Sequence, residues 1–340
     1  MQGFPVDRLE LLNDWVARRF PDGGTELTPA SADASFRRYF RLRFPGGRPA
    51  CIVMDAPPDK EDCGPFIRIA GLLAAAEINA PRVLDADTAQ GFLLLSDLGE
   101  VTYLRELQAR PEAADRLYRD AIEALIRMQT RVDPSGLPVY DRALLLREMA
   151  LYWEWYAPRH RARALGEEQM RIVAAACETL IANLLAQPRV FVHRDYHSRN
   201  LMFCQDQNPG VLDFQDAVAG PITYDLVSLL KDAYIEWDEE RVLDWTIRYW
   251  EAARAAGLAV ADAFGDFYRD FEWMGLQRHL KVLGIFARLS HRDGKDGYLQ
   301  DMPLVLSHVR RTCRRYQAFA PLLKVVDSIE GIETKTGVTF

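Results

Sequence analysis

Val6, Leu9, Leu12, Val16 and Phe20 recur at steps of three and four, the spacing of one buried helix face, and Pro21-Asp22-Gly23-Gly24 ends the run. The period then changes to two. Phe40-Arg41-Leu42-Arg43-Phe44 alternates, Pro45-Gly46-Gly47 follows, and Ala50-Cys51-Ile52-Val53-Met54 is a second apolar run, so a hairpin is predicted. Helical spacing returns from Gly64 to Ile78, and after Pro81 come the short runs Arg82-Val83-Leu84 and Phe92-Leu93-Leu94-Leu95. Residues 1–95 therefore read as a small sheet carrying one inserted helix. Beyond Ser96-Asp97-Leu98-Gly99 the pattern is helical at Glu112 to Arg131, Ala143 to Tyr156, Glu167 to Ala186, Glu239 to Ala256 and Phe264 to Leu289, with a β-rich interruption from Arg189 to Phe214. The expected organisation is α+β in two parts, 1–95 and 101–340, joined by 96–100. The polar end from Ile329 reads as a loose tail.

A chain of 340 residues exceeds what one core usually serves, which agrees with that division. Its formal charge is −7, so no global basic field is available to hold nucleic acid. Cys51, Cys63, Cys177, Cys204 and Cys313 are odd in number and show no CxxC spacing, which argues against a disulfide framework or a zinc site. No stretch reads as a membrane span and no secretory leader is visible, so the expectation is a cytoplasmic protein with no membrane, nucleic-acid or protein partner implied.

The informative chemistry lies in Val190-Phe191-Val192-His193-Arg194-Asp195-Tyr196-His197-Ser198-Arg199-Asn200, followed by Val211-Leu212-Asp213-Phe214. Apolar strands do not normally end in Asp or Asn without a polar task. Phosphoryl transfer needs a carboxylate to orient the attacking hydroxyl and hard oxygen ligands to hold magnesium on phosphate. His-x-Asp-x-x-x-x-Asn, then a strand ending in Leu-Asp-Phe, supplies both. A purely structural polar loop is the competing reading.

With those residues in place the chain resembles the aminoglycoside phosphotransferase family, which has the two-lobed protein-kinase-like fold with a small β-rich and a larger helical lobe. HRDYHSRN matches its catalytic loop, VLDFQDA its metal-binding strand and GPITYDLVSLL the helix that follows. The resemblance implies ATP and Mg2+, with Asp195 as catalytic base and Asn200 and Asp213 as metal ligands. It also implies that Asp225 braces the loop from inside the large lobe and that His197 is the second histidine typical of small-molecule kinases. His193 reads as a packed structural residue.

The usual phosphate-binding lysine is missing from Ala50-Cys51-Ile52-Val53-Met54-Asp55, and Phe66 to Ala76 lacks the usual glutamate, with Glu61 and Glu77 only flanking it. Lys60 is the one lysine before Lys231, so the substitutes are Lys60 or the arginines Arg37 and Arg38. Ser31 and Ser35 stand where the nucleotide-covering loop is expected, their hydroxyls and backbone free to approach phosphate. Ser96, Asp97 and Leu98 fall where a hinge would meet adenine through its main chain.

The acceptor pocket is expected in the helical lobe, on the aromatic segment that includes Tyr152 and Trp155, with Arg147, Arg278 and Lys281 as alternative partners for an acceptor carboxylate. Core packing is the competing reading of the aromatics. LLREM, YDLVSLLKD, QRHLKVLGIFARL, RDGK and YLQDMP resemble one branch of the family, the anomeric kinases of bacterial cell-wall recycling. That implies a small amino-sugar acceptor, N-acetylmuramate or N-acetylglucosamine, phosphorylated at its C1 hydroxyl. An aminoglycoside kinase and a non-catalytic nucleotide-binding module are the alternatives.

Overall fold

The computed structural model describes residues 8–21, 25–32 and 36–332. They form two compact units, Met1–Val101 with Met202–Asp216, and Thr102–Leu201 with Ala217–Phe340.

The first unit runs α1 (Arg8–Arg19), β1 (Glu26–Ala32), β2 (Arg38–Arg43), β3 (Cys51–Asp55), α2 (Cys63–Ala75), β4 (Val83–Asp87) and β5 (Phe92–Ser96). The strands make one antiparallel sheet in the order β1-β2-β3-β5-β4. The predicted hairpin is present, with Leu42 opposite Cys51. Strand β1 has no period-two pattern to announce it. It is an edge, and Pro29 sits at a register shift, where the missing N–H breaks no ladder. Leu12, Trp15 and Val16 of α1 pack on Phe40, Leu42, Val53, Phe92 and Leu94 of the sheet. Asp55, fully buried at the end of β3, ties the two together by accepting from Arg8 Nε and Arg38 Nε, each at 3.0 Å.

Residues 202–216, expected in the helical part, pack with this unit instead. Val211 N–H donates to the Asn79 carbonyl at 2.7 Å and Phe203 N–H to that of Val101 at 2.8 Å. The buried ring of Phe214 lies 4.8 Å from Phe66 on α2. The reason is burial: this short β segment has no helix of its own to cover it, and the apolar face of α2 does so.

The second unit contains α3 (Tyr103–Ala109), α4 (Ala114–Arg131), α5 (Arg142–Leu151), α6 (Glu167–Ala186), β6 (Arg189–Val192), β7 (Val218–Pro221), α7 (Tyr224–Leu230), α8 (Glu239–Ala255), α9 (Phe264–Asp293), α10 (Met302–Arg315) and α11 (Ala320–Glu330). Strands β6 and β7 pair antiparallel. The 30-residue α9 is the centre, packed by α5, α6, α7 and α10. The expected helix Ala143 to Tyr156 changes character at Leu151, and Tyr152–His160 is π-helical. Pro158 lies inside that segment and removes a backbone donor, which favours the wider turn. By length and composition α6 could cross a membrane, yet Val173, Cys177, Leu180, Ile181 and Leu184 are buried within this unit. Ile329, read as the start of a tail, is buried at the end of α11.

Two close approaches generate tests. A Cβ on Gly284 would stand 2.3 Å from the carbonyl carbon of Leu151, so only glycine lets α9 meet the end of α5. Gly284→Ala should cost ~1–3 kcal/mol of stability, measured by urea unfolding. His279 and His308 stack within the same core, ring centroids 4.7 Å apart. Burial, then the charges of Lys231 and Arg311, pushes His308 down to about 3. An unfolded histidine titrates near 6.5. The unfolded state therefore binds more protons between those values, and stability drops as pH falls through them. Between pH 7 and 5 this residue should contribute a loss of ~2 kcal/mol. His308→Asn should flatten the pH dependence of urea unfolding by that amount, and an unchanged slope would refute a neutral buried imidazole.

Candidate active site

The catalytic loop leaves β6 at Val192 and is held from below by α7. Asp225, fully buried in the first turn of α7, accepts the backbone N–H of His193 at 2.6 Å and of Arg194 at 2.9 Å. Asp232, seven residues on and also buried, accepts the Ser198 N–H at 3.0 Å and its hydroxyl. Burial pushes Asp225 up to about 6, with His193 and the two backbone donors pulling back. Arg194 has φ +79°, a conformation that a side-chain-bearing residue adopts only when its neighbours enforce it. His193 is buried, and its Nδ1 accepts the Asp195 N–H at 3.2 Å, a bracing position.

Within the loop, His197 N–H reaches the Asp195 carbonyl at 3.1 Å and Asn200 N–H reaches the His197 carbonyl at 2.9 Å. The Asn200 Nδ2 donates to the Asp195 carbonyl at 3.0 Å, which fixes the orientation of its amide. Burial works to raise the Asp195 carboxyl, but the charges of Lys281, His197, Arg278 and Arg194 outweigh it and hold the group below its ordinary value. Asp195 is thus an ionised base set among cations. The His197 imidazole is buried and lowered chiefly by that burial, and its Nδ1 has no hydrogen-bond partner. It meets Tyr234 edge-on at 5.4 Å, and the Arg199 guanidinium lies 3.7 Å from the same ring.

A second buried acid, Glu148 on α5, takes up two of the surrounding cations. Arg194 and the Tyr140 hydroxyl donate to it, Lys281 Nζ stands at 3.1 Å, and Lys281 also donates to the Tyr224 hydroxyl at 2.8 Å. Burial would raise Glu148, and Lys281 and Arg194 keep it ionised. Neither Glu148 nor Asp232 is marked by the sequence reading. Each is an acid within an apolar helical run, LLLREM and LVSLLKD, and that is the signal available for them.

The acceptor candidates separate. Lys281 is engaged by Glu148, and Arg147 is exposed on α5. Arg278 is 3% exposed on α9, and its Nε and Nη1 have no hydrogen-bond partner. The two members of the aromatic segment differ in setting. Tyr152 is buried and stacks on Tyr156 at 5.2 Å, while Trp155 lines an open surface groove with Pro158, Arg159, His291 and Arg292. The aromatics grouped near the loop are Tyr234, Phe286 and Tyr298.

In the first unit, Asp213 has φ +61° and accepts from Gln215 Nε2 at 2.9 Å. Arg37 faces Glu61 at 3.7 Å, and the same carboxylate accepts the Phe36 N–H at 3.1 Å. Arg38 is committed to Asp55. Lys60 is exposed and pairs with Asp59 at 3.6 Å. Ser31 contributes its backbone to β1, and Ser35 lies outside the described residues. The Ser96 hydroxyl accepts the Arg82 N–H at 2.9 Å, and Asp97 accepts Arg41 Nε at 2.6 Å, so both side chains brace the sheet. The Leu98 carbonyl lies 3.5 Å from Cys204 Sγ.

A model of the phosphotransferase enzyme family matches residues 26–264. The chain is 50% identical over 332 residues to the N-acetylmuramate/N-acetylglucosamine kinase of Neisseria meningitidis serogroup B, spanning 97% of this chain and 98% of that one. It is 47% identical over 333 residues to the protein of the same name from Pseudomonas aeruginosa, spanning 95% and 97%. Among solved structures, an ethanolamine kinase of Plasmodium vivax aligns with a TM-score of 0.63 at 10% identity, over 95% of this chain and 89% of that one, a likeness of fold. The fold is protein-kinase-like, and with matches of this extent the chain belongs to the phosphotransferase enzyme family.

Proposed function

We propose that the protein is an ATP-dependent kinase of N-acetylmuramate and N-acetylglucosamine that phosphorylates the anomeric C1 hydroxyl, in the cytoplasmic recycling of cell-wall sugars. The observation that carries the reading is an ionised, cation-flanked Asp195 on a doubly clamped loop, in a chain matching kinases of that name along nearly its whole length. Five free thiols agree with a reducing compartment. A polycationic aminoglycoside is disfavoured, because Arg194, Arg278 and Lys281 all place positive charge on Asp195.

In this reading Asp195 accepts a hydrogen bond from the sugar hydroxyl, orients it in line with the transferred phosphoryl group and takes its proton. Asn200, through its amide oxygen, and Asp213, through its carboxylate, are the proposed ligands of Mg2+. Magnesium characteristically takes further oxygens from the nucleotide phosphates. When bound with the nucleotide, magnesium neutralises phosphate charge. Arg37, paired with Glu61, takes the place of the usual lysine, and His197 stands beside the acceptor.

Incubation with ATP, Mg2+ and a panel of amino sugars and aminoglycosides should give C1-phosphorylated amino sugars by NMR and leave the aminoglycosides untouched. Asp195→Asn should lower turnover at least ~10³-fold while nucleotide still binds, and a loss under about tenfold would remove the kinase assignment. Arg37→Ala should raise KM for ATP about tenfold, against less than about threefold for Lys60→Ala, whose ammonium is exposed. The reverse order would move the phosphate contact to Lys60.

A further inference from the structure

Three cations act on Asp195 besides His197, and two of them are spoken for: Arg194 and Lys281 both end on Glu148. Arg278 does not. Its guanidinium makes no hydrogen bond and no ion pair among the described residues, although the residue is 3% exposed and Nε and Nη1 are sealed from solvent. A buried unpaired guanidinium is strongly unfavourable, because water is removed and nothing replaces it. Such a group is retained where a ligand supplies the missing partner.

The neighbours of Arg278 define what the ligand is. On α9 it is flanked by Gln277, whose amide donates to Tyr140 and Glu148, and by His279, whose Nε2 lies 2.9 Å from the Lys231 carbonyl. Those contacts pin the helix on both sides of Arg278. On the catalytic loop, His197 Nδ1 is likewise buried without a partner. Tyr234, edge-on to His197, leads through Phe286 to Tyr298 and Arg199. The acceptor side of Asp195 therefore offers ring faces, a buried imidazole with an unpartnered Nδ1 and one uncommitted fixed cation. The two sugars named for the relatives differ chemically in one respect that a cation can read: N-acetylmuramate carries a lactyl ether ending in a carboxylate, and N-acetylglucosamine has a hydroxyl there.

We propose that Arg278 is the specificity residue for the acidic acceptor, its guanidinium pairing with the lactyl carboxylate of N-acetylmuramate. The proposal rests on the sugar-kinase reading above and adds the residue that discriminates between its two substrates. Charge-assisted hydrogen bonds to a planar carboxylate are what the guanidinium is shaped for. A neutral sugar leaves Arg278 to water admitted with it.

The test is the ratio of kcat/KM for N-acetylmuramate to that for N-acetylglucosamine, with Mg2+ and ATP saturating. Arg278→Gln should lower this ratio at least ~30-fold, mainly through KM for the acidic sugar, and Arg278→Lys should recover part of it. Wild-type enzyme given the methyl ester of N-acetylmuramate should show the same loss without any substitution, which keeps the test sharp if a variant misfolds. A ratio unchanged in both variants, or an ester as good as the acid, overturns the proposal and leaves the kinase assignment standing. Wild-type protein inactive on both sugars overturns the sugar-kinase reading, and Arg278 with it.

Discussion

Two carboxylates seven residues apart, Asp225 in α7 and Asp232 just beyond its end, hold the rest of the site in place. Asp225 and Asp232 are buried, and each accepts backbone N–H groups from the catalytic loop, at 193–194 and at 198. Hydrogen bonds to a charged acceptor are worth ~1.5–3 kcal/mol each, against ~1–3 kcal/mol for the strained φ of Arg194. The grip thus exceeds the strain it imposes. Asp195 emerges from a loop held by these buried acceptors on both sides.

The second organising feature is the division of labour among the cations. Glu148 neutralises Arg194 and Lys281 and joins α5, the catalytic loop and α9 through one buried acid. Positive charge still reaches Asp195 from that cluster, so its half-buried carboxyl is held below its ordinary value. The same economy appears in the first unit, where Asp55 at the end of β3 takes up Arg8 and Arg38 and leaves Arg37 opposite Glu61. Arginine rather than lysine stands wherever the chain needs a cation in its small sheet, and its planar fork is what allows one carboxylate to be gripped from two sides.

Much of this was legible in the residues. His193, Asp195, Asn200 and Asp213 announce themselves because polar groups interrupt apolar strands, and α6, α8 and α9 are readable because one face of each is apolar over many turns. The local geometry of the loop follows from spacing, since Asp195 and Asn200, five residues apart, are joined by a tight turn in which the Asn200 amide donates to the Asp195 carbonyl. Edge strand β1 was silent because an edge needs neither alternation nor every donor, and α7 shows no amphipathic period because all seven of its residues are buried.

Only tertiary packing could decide which members of a chemically equivalent set are free. Arg147, Arg278 and Lys281 are alike as cations in a sequence. Folding exposes the first, leaves the second buried without a partner and gives the third to Glu148. Likewise Tyr152 and Trp155 are as aromatic as Tyr234 and Tyr298, but Tyr152 is buried against Tyr156 and Trp155 lines a surface groove, while Tyr234 and Tyr298 gather beside Arg199. Residue identity determines what a side chain can do. Its neighbours, brought from distant parts of the sequence, determine whether that capacity is already spent, because pairing and burial are properties of the folded contact and not of the chain.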